Sequence, residues 1–558
     1  MNRSILRLSL LLVLAPTTAW TAPPTLTHLF PAGGQRGTKV VVTCAGIFTW
    51  PVKVSAPGLE VVPAKEAGKL EVSIPKDLAA DRVWIRLYNS EGASTAAPFL
   101  IDNLKEIMEQ EPNDEPRTAQ VLADANVVVN GILEKIADVD CFAVRLTAGQ
   151  TLVAIVDAND RLGSPMDPIL QITNPEGFVL AENNDGVHLD PRLTFTPIKS
   201  GTYIVRLFAF SSTPNTTIAL GGGANYVYRL TLTTGPYVTH SIPLSASHEK
   251  PGAVEVLGWN VPPKTMLPVA PFGGSKDTEH FERENPNDLK LSPAARLGFA
   301  FAPNLAGWAR VRLTSDAVSS VIGIDPKKET PLTLPASVTG LLRTARQIDT
   351  FRVPLKKERQ FIASVESNSL GFPFDPAVKL TAPDGKVVLN VAGSGPNREA
   401  LIVHTPAKDG DFQLAVSDRF RLGGDRCFYR LSVRLDEPDF ELTATVDSIV
   451  AAPGKPAELP IKVQRRAGSV GPITIQAIGL SPGVTAVPVV VEPTGPLVTV
   501  TLKLATTGRA FSGPVRIVGK AKQPREIERF VRTAPRLGAT FESIWLTVIE
   551  APKSKEKT

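Results

Sequence analysis

Short apolar runs with a period of two recur along almost the whole chain. CFAVRL, YIVRLFAF, YVYRLTLT, FQLAVS, FYRLSV and VTVTLKL alternate apolar and other positions or run as brief β-branched segments. A period of two puts alternate side chains on one face of a strand, so each run predicts a strand with one face in a core. NPEG, NNDG and APDG separate such runs, and Gly, Pro, Asn and Asp are the residues that let a chain reverse. Helical spacing is hard to find after the first residues. The pattern predicts an all-β chain of tandem β-sandwiches.

The runs also repeat in order. DCFAVRL at 140–146 parallels DTFRVPL at 349–355, so that Asp140 matches Asp349 and Phe142 matches Phe351. RLGSPMDP parallels SLGFPFDP, TNPEG parallels TAPDG, FTPIKSGTY parallels HTPAKDGDF, and YRLTL parallels YRLSV. Ordered matches at near-equal spacing mark an internal duplication. LAADRVWIRLYNSEGAST at 78–95 and LAGWARVRLTSDAVSS at 305–320 correspond more weakly, so the repeated unit is a small module followed by a large one. The expected boundaries are small modules at 23–104 and 236–328, large modules at 105–235 and 329–437, a lone module at 438–551, and a charged, disordered tail at 552–558.

Composition adds three constraints. Proline is 49 of 558 residues, against roughly one in twenty on average. It is scattered between the runs, where β-proteins place turns and edges. The net charge of +5 forms no basic stripe with interleaved aromatics, which argues against a nucleic-acid partner. Arg3 and Arg7 border or interrupt the short apolar run ILRLSLLLVLA, and small residues lie around Ala19 to Ala22. Residues 1–22 therefore read as an export signal, with an uncleaved anchor as the alternative. No later stretch reaches the length of about eighteen apolar residues that a spanning helix needs. The mature chain is expected to have no membrane span and to be secreted, periplasmic or at the cell surface. Of the three cysteines, Cys44 is in phase with Val40 and Val42 and should be buried. Cys141 is out of phase with Phe142, Val144 and Leu146 and should face outward. A Cys141–Cys427 bridge stays open.

The larger repeat resembles the bacterial pre-peptidase C-terminal domain. The family's E-x-E-P-N-D/N run is met at Glu109 to Asp114, its D-x-D-x-F at Asp138 to Phe142, its T-A-G-Q turn at Thr147 to Gln150 and its P-x-x-x-G-T-Y hairpin at Pro197 to Tyr203. The resemblance covers about 105–235 closely and 329–437 more loosely. It implies a jelly-roll-like β-sandwich that accompanies secreted enzymes and surface proteins as an accessory module. FPAGGQRGTKVVVTCAG at 30–46 looks like the start of an immunoglobulin-like module of cell-surface receptors and transcription factors, and GAVEVLGWN at 252–260 is a fainter version. Residues 438–551 look like an immunoglobulin-like module of large secreted planctomycete-type proteins.

No catalytic motif emerges. There is no G-x-S-x-G elbow, no H-E-x-x-H helix and no subtilisin-like G-T-S segment, and no histidine has zinc-ligand spacing with a second His or Cys. The glycine run LGGGAN precedes a strand and so reads as a loop, not a phosphate cradle. Metal binding has the concrete support. Calcium takes six to eight oxygens from carboxylates, amides and carbonyls. Glu109, Glu111, Asn113 and Asp114 present several from one extended segment, and Asp138 and Asp140 offer more. The resemblance adds that matching positions hold calcium in the collagen-binding domains of clostridial collagenases. The rival reading is a solvated acidic linker whose prolines set an angle. The second copy has Gln347 where the first has Asp138, and Lys327 and Lys328 where an acidic run is needed. ERENPND at 282–288 lies in the preceding small module, so one calcium site is expected. Asp185 reads as a turn residue. Tyr226 and Tyr228 share a face with Leu230 and Leu232 and read as core.

These readings converge on an exported, non-catalytic protein with a structural, adhesive or ligand-binding role at the cell envelope. Its modules would stand in series, with calcium fixing one junction and an extracellular protein or glycan as partner. The rivals are a peptidase-associated accessory or substrate-binding protein and a carbohydrate-binding surface protein.

Overall fold

The computed structural model describes residues 22–213, 219–271, 280–282, 296–314, 318–394, 398–522 and 526–550. The expected export signal, apart from Ala22, lies outside them, as do the charged tail and all of ERENPND except Glu282. Among the described residues the regular structure is almost entirely strand, with one four-residue α-helix at Asn159–Leu162 and one 3-10 turn at Asn368–Leu370.

The two large modules have the same topology, strand for strand. In the first, one sheet runs Gln120–Val121, Asp140–Leu146, Gly201–Ser211, Met166–Thr173, Val179–Asn183, and the facing sheet runs Arg192–Phe195, Leu152–Asp157, Val227–Thr233, Val127–Ile132, Lys105–Met108. In the second, the corresponding sheets run Thr330–Pro331, Ile348–Leu355, Gly410–Asp418, Pro376–Thr381, Val387–Ala392, and Ala400–His404, Phe361–Glu366, Phe428–Leu435, Ala336–Leu341, Ser319–Ile322. Even an irregularity is shared: the register shifts at Ile172/Thr173 and at Leu380/Thr381, just before TNPEG and TAPDG. The second sandwich begins at Ser319, earlier than the expected 329, because Ser319–Ile322 pairs in parallel with Ala336–Leu341 as Lys105–Met108 does with Val127–Ile132. Alternation fills both cores as the pattern predicts. Phe142, Val144, Leu170 and Leu230 are buried in the first, and Phe351, Val353, Leu380 and Leu431 in the second. Tyr228 is fully buried in the first core and Tyr226 packs against it, as their phase with the leucines implies.

The residues between 28 and 102 form two four-stranded sheets around Val42, Cys44, Val72 and Phe99. Strands from Tyr237–Ile242 to Ala309–Thr314 form a seven-stranded path, and those from Asp439–Ala444 to Ile544–Val548 a larger one.

Two expectations are corrected. Cys141 is fully buried, not outward-facing. It does lie on the face opposite Phe142, but residues 113–119 fold back over that face: the Cys141 N–H donates to Asn113 O at 3.0 Å, and Ala119, Val139 and Ile204 pack beside the thiol. Cys141 and Cys427 are both buried free thiols, so there is no bridge. Nor do the modules stand simply in series. Trp84 of the first small module meets Phe541 of the last module edge-on at 5.4 Å. Around that contact Arg86 pairs with Asp447 at 2.8 Å, and Arg536 Nη1 donates to Ala96 O at 2.6 Å. The chain closes on itself, first module against last.

Candidate metal centre

The acidic run is built into the first sandwich. Lys105–Met108 enters its sheet edge, and Gln120–Val121 leaves by pairing in parallel with Phe142–Ala143 on the other sheet. The residues between must therefore cross the end of the sandwich, which carries Asn113 to full burial. The Asn113 N–H donates to Glu111 Oε2 at 2.8 Å, fixing the turn. A second turn faces it. Asp138, fully buried, accepts the Glu134 N–H at 2.5 Å and the Lys135 N–H at 3.4 Å through Oδ2. Ala137 beside it holds a left-handed φ of 65°.

Glu111, Asp114 and Asp138 thus bring one carboxylate oxygen each within 4.8 Å of one another. Asn113 Oδ1, Asp138 Oδ1 and Asp140 Oδ1 are buried with no hydrogen-bond partner. Lys135 Nζ forms ion pairs with Asp114 Oδ1 at 3.0 Å and with Asp138 Oδ1 at 3.3 Å. Its hydrogen bond to Asp114 holds that carboxyl below the usual range. The Lys135 side chain is 60% exposed, so it is free to swing into solvent. Orphaned buried oxygens cost about 1–3 kcal/mol each, and a hard divalent cation needs such an all-oxygen donor set. The residues fit calcium.

The other two expected ligands are engaged elsewhere. Glu109 Oε2 and Asp140 Oδ2 lie 2.6 and 2.5 Å from the Tyr228 hydroxyl, and Glu109 Oε1 accepts the Ile132 N–H at 3.1 Å. One hydroxyl proton cannot serve two carboxylates. Burial first, and then their mutual repulsion at Asp140, raises both carboxyl pKa values, so the pair retains a proton that links it through the tyrosine oxygen. Sequence spacing could not reveal this partner, but two signals pointed at it: YRL and an upstream glycine recur in both copies. A Cβ on Gly131 would lie 2.2 Å from the Tyr228 ring, and one on Gly340 would lie 2.0 Å from the Tyr429 ring. Each glycine leaves room for a tyrosine to cross the strand. Gly131→Ala and Gly340→Ala are each expected to lose about 1–3 kcal/mol through overpacking. Gly201→Ala, with nothing within 4 Å of its Cβ, should lose less than either. Urea denaturation midpoints would compare them.

The second sandwich is an internal control. Counting on from the matched strands, Glu109, Glu111, Asn113 and Asp114 correspond to Gly323, Asp325, Lys327 and Lys328. Gln347 stands in Asp138's place. Its Oε1 accepts the N–H groups of Arg343 and Thr344 at 2.9 and 3.3 Å, closing the same turn. Its Nε2 donates to Asp349 Oδ1 at 2.8 Å, while Tyr429 donates to Asp349 Oδ2 at 2.6 Å. The oxygen orphaned on Asp140 is therefore satisfied on Asp349 by an amide. Asp185 is exposed in a turn closed by the Gly186 N–H to Asp190 O.

No family model and no curated protein matches the chain. Among solved structures it is similar to the pre-peptidase C-terminal domain of a Bacillus anthracis collagenase, with 15% identity over 20% of this chain and 100% of that one, at a TM-score of 0.17. It is also similar to a Clostridium perfringens protein comprising an M60 catalytic domain with two CBM51 domains, with 9% identity over 74% of this chain and 46% of that one, at 0.15. A third is a Salmonella alpha-2-macroglobulin, with 11% identity over 92% of this chain and 40% of that one, at 0.14. Overlaps this weak carry no argument about function, so the candidate centre rests on its own geometry.

Proposed function

We propose that the protein is an exported, non-catalytic assembly of β-sandwiches with a structural, adhesive or ligand-binding role at the cell envelope. In this reading the first large sandwich is a pre-peptidase C-terminal-like module stabilised by one calcium ion, and the second is a degenerate, metal-free copy. The observation that carries the reading is the contrast between orphaned oxygens on Asn113, Asp138 and Asp140 and the lysines and Gln347 amide at the second copy's matching positions. Glu111, Asn113, Asp114 and Asp138 would hold the ion, which would take the place beside Asp114 and Asp138 that the exposed Lys135 ammonium now occupies. Asp140 and Glu109 support the site from behind through Tyr228.

Calcium at about one hundred times its dissociation constant stabilises a folded protein by about 2.7 kcal/mol. Millimolar calcium is therefore expected to raise the melting temperature and to protect residues 105–120 from proteolysis. Glu111→Ala with Asp138→Ala should remove both effects, whereas Asp325→Ala and Glu284→Ala should leave them intact. Identical melting and cleavage in calcium and in chelator would sink the proposal. Sustained turnover of casein or generic peptides by repurified protein would overturn the non-catalytic part.

One observation favours ligand binding over a purely structural role. A cleft of about 550 Å³ lies between the first and last modules, lined by Trp84, Phe541, Trp545, Arg86 and Arg516 among others. That volume is in the range of small-molecule sites; Trp84, Phe541, Trp545 and Arg86 are themselves buried, so the half-buried Arg516 is the side chain a ligand would meet. A glycan array with wild type and Arg516→Ala tests it. Binding that ignores the substitution places the partner elsewhere.

A further inference from the structure

Where the first large sandwich, the second small module and the second large sandwich meet, they enclose a cavity of about 70 Å³. That is room for roughly five waters or one small polyatomic ion. Its walls carry Asp157, Asp160, Arg161 and Arg192 from the first sandwich, Tyr237, His240 and Arg310 from the small module, and Ser369 and Gly371 from the second sandwich.

Three arginines and two aspartates line the cavity, and not every arginine has a carboxylate partner. Arg161 is matched by Asp81 at 2.6 Å and Asp157 at 3.1 Å. Arg192 has no carboxylate within ion-pair distance among the described residues, and neither does Arg426, whose guanidinium stacks over Trp259 at 4.2 Å. Ser369 Oγ and His240 Nε2 are buried and have no hydrogen-bond partner. His240 is only 7% exposed, held between Phe372 at 5.0 Å and Phe428 at 4.6 Å. Gly371 has a φ of 85°, and a Cβ there would stand 3.2 Å from Arg192 Nη1, so the glycine keeps the guanidinium's seat open.

We propose that this cavity binds a small oxyanion of phosphate or sulfate size, held by Arg192, Ser369 and His240, with Arg426 close by. A guanidinium presents a fork of N–H donors to oxyanions, and the serine hydroxyl adds another. Thr239 Oγ1 lies 2.8 Å from His240 Nδ1 and 3.3 Å from the Leu257 carbonyl; when its proton goes to His240, Nε2 carries a proton for the ligand, and when it goes to Leu257, Nε2 is an acceptor and the binding falls to Arg192 and Ser369. The basic groups also feel one another. Burial, then Arg192, brings Arg426 down to about 10, and burial, then Arg426, brings His240 down to about 4. The two aspartates of the cavity wall face other bases: Asp157 pairs with Arg161 at 3.1 Å, and Asp160 lies 3.8 Å from His188. Half-buried like charges without a counter-ion are costly, and an anion between them removes that cost while joining three modules.

The test uses the full chain, with chelator present so that calcium plays no part. Melting is followed against phosphate, sulfate, acetate and chloride at matched ionic strength. A saturable rise with phosphate or sulfate is expected, with half-saturation weakened at least about tenfold in Arg192→Met and also weakened in Ser369→Ala. No anion-specific rise, or an equal rise in Arg192→Met, overturns the proposal. Should Arg192→Met fail to fold, Ser369→Ala removes only a hydroxyl and decides alone: unchanged saturation overturns it. A saturable response to acetate alone would reassign the site to carboxylates and refute the phosphate-sized ligand.

Discussion

Glu366→Ala is expected to destabilise the protein by about 3–5 kcal/mol, the range for breaking a buried ion pair from one side. Glu366 is 1% exposed and lies between two arginines. Arg312 of the second small module reaches Oε1 at 2.9 Å, and Arg430 of the second large sandwich bonds to Oε2. Arg430 is also 1% exposed, so removal of the carboxylate takes a counter-charge away from a buried guanidinium. Glu366→Gln keeps an acceptor and should lose less. A urea denaturation midpoint for Glu366→Ala equal to wild type would refute the assignment. The first sandwich solves the same problem differently. Arg229, matched to Arg430, pairs with Glu106 at 2.7 and 3.0 Å and takes Asn130 Oδ1 at 3.0 Å. Glu106 sits on the strand to one side of Val127–Ile132, whereas Glu366 sits on the strand directly beside Arg430. Room for Arg229 comes from the preceding module, where a Cβ on Gly33 would lie 2.3 Å from Arg229 Nη1.

Trp84→Ala should open the closed chain. Truncating a buried tryptophan costs about 3–5 kcal/mol, and here the cost falls on the contact between first and last modules. Trp84, Ala96, Ala539 and Phe541 form a small apolar cluster there, and Tyr88 meets Trp545 at 4.8 Å nearby. The expected results are a larger radius of gyration by small-angle X-ray scattering and new proteolysis near residues 534–541. An unchanged radius and cleavage pattern would mean that Arg82, Arg86 and Arg536 hold the closure without the aromatic contact.

The strands and the duplication were legible because a period of two and its punctuating turns are local signals. DCFAVRL and DTFRVPL became matching strands for that reason. The candidate metal centre was legible in part. Glu111, Asp114 and Asp138 converge and Asn113 is buried in the same turn, but Tyr228 diverts Glu109 and Asp140, and a partner so distant in sequence leaves no spacing to read. Cys141 shows the same limit. Its phase was right, but phase says nothing of a segment folded over the outer face. Closure was illegible because Trp84 and Phe541 look like ordinary strand aromatics until the modules are in place.

The closed chain bears on synthesis. Arg82 Nη1 donates to Leu537 O at 2.9 Å across 455 positions of sequence. Loop closure grows only slowly more costly with length, so the finished protein tolerates that separation. A ribosome does not complete it until the end. While the middle modules emerge, the first presents Trp84 uncovered, and transiently exposed apolar surface favours aggregation. Chains cut short before 438 keep that patch open for good, which makes the last module the fragment most needed for a soluble product.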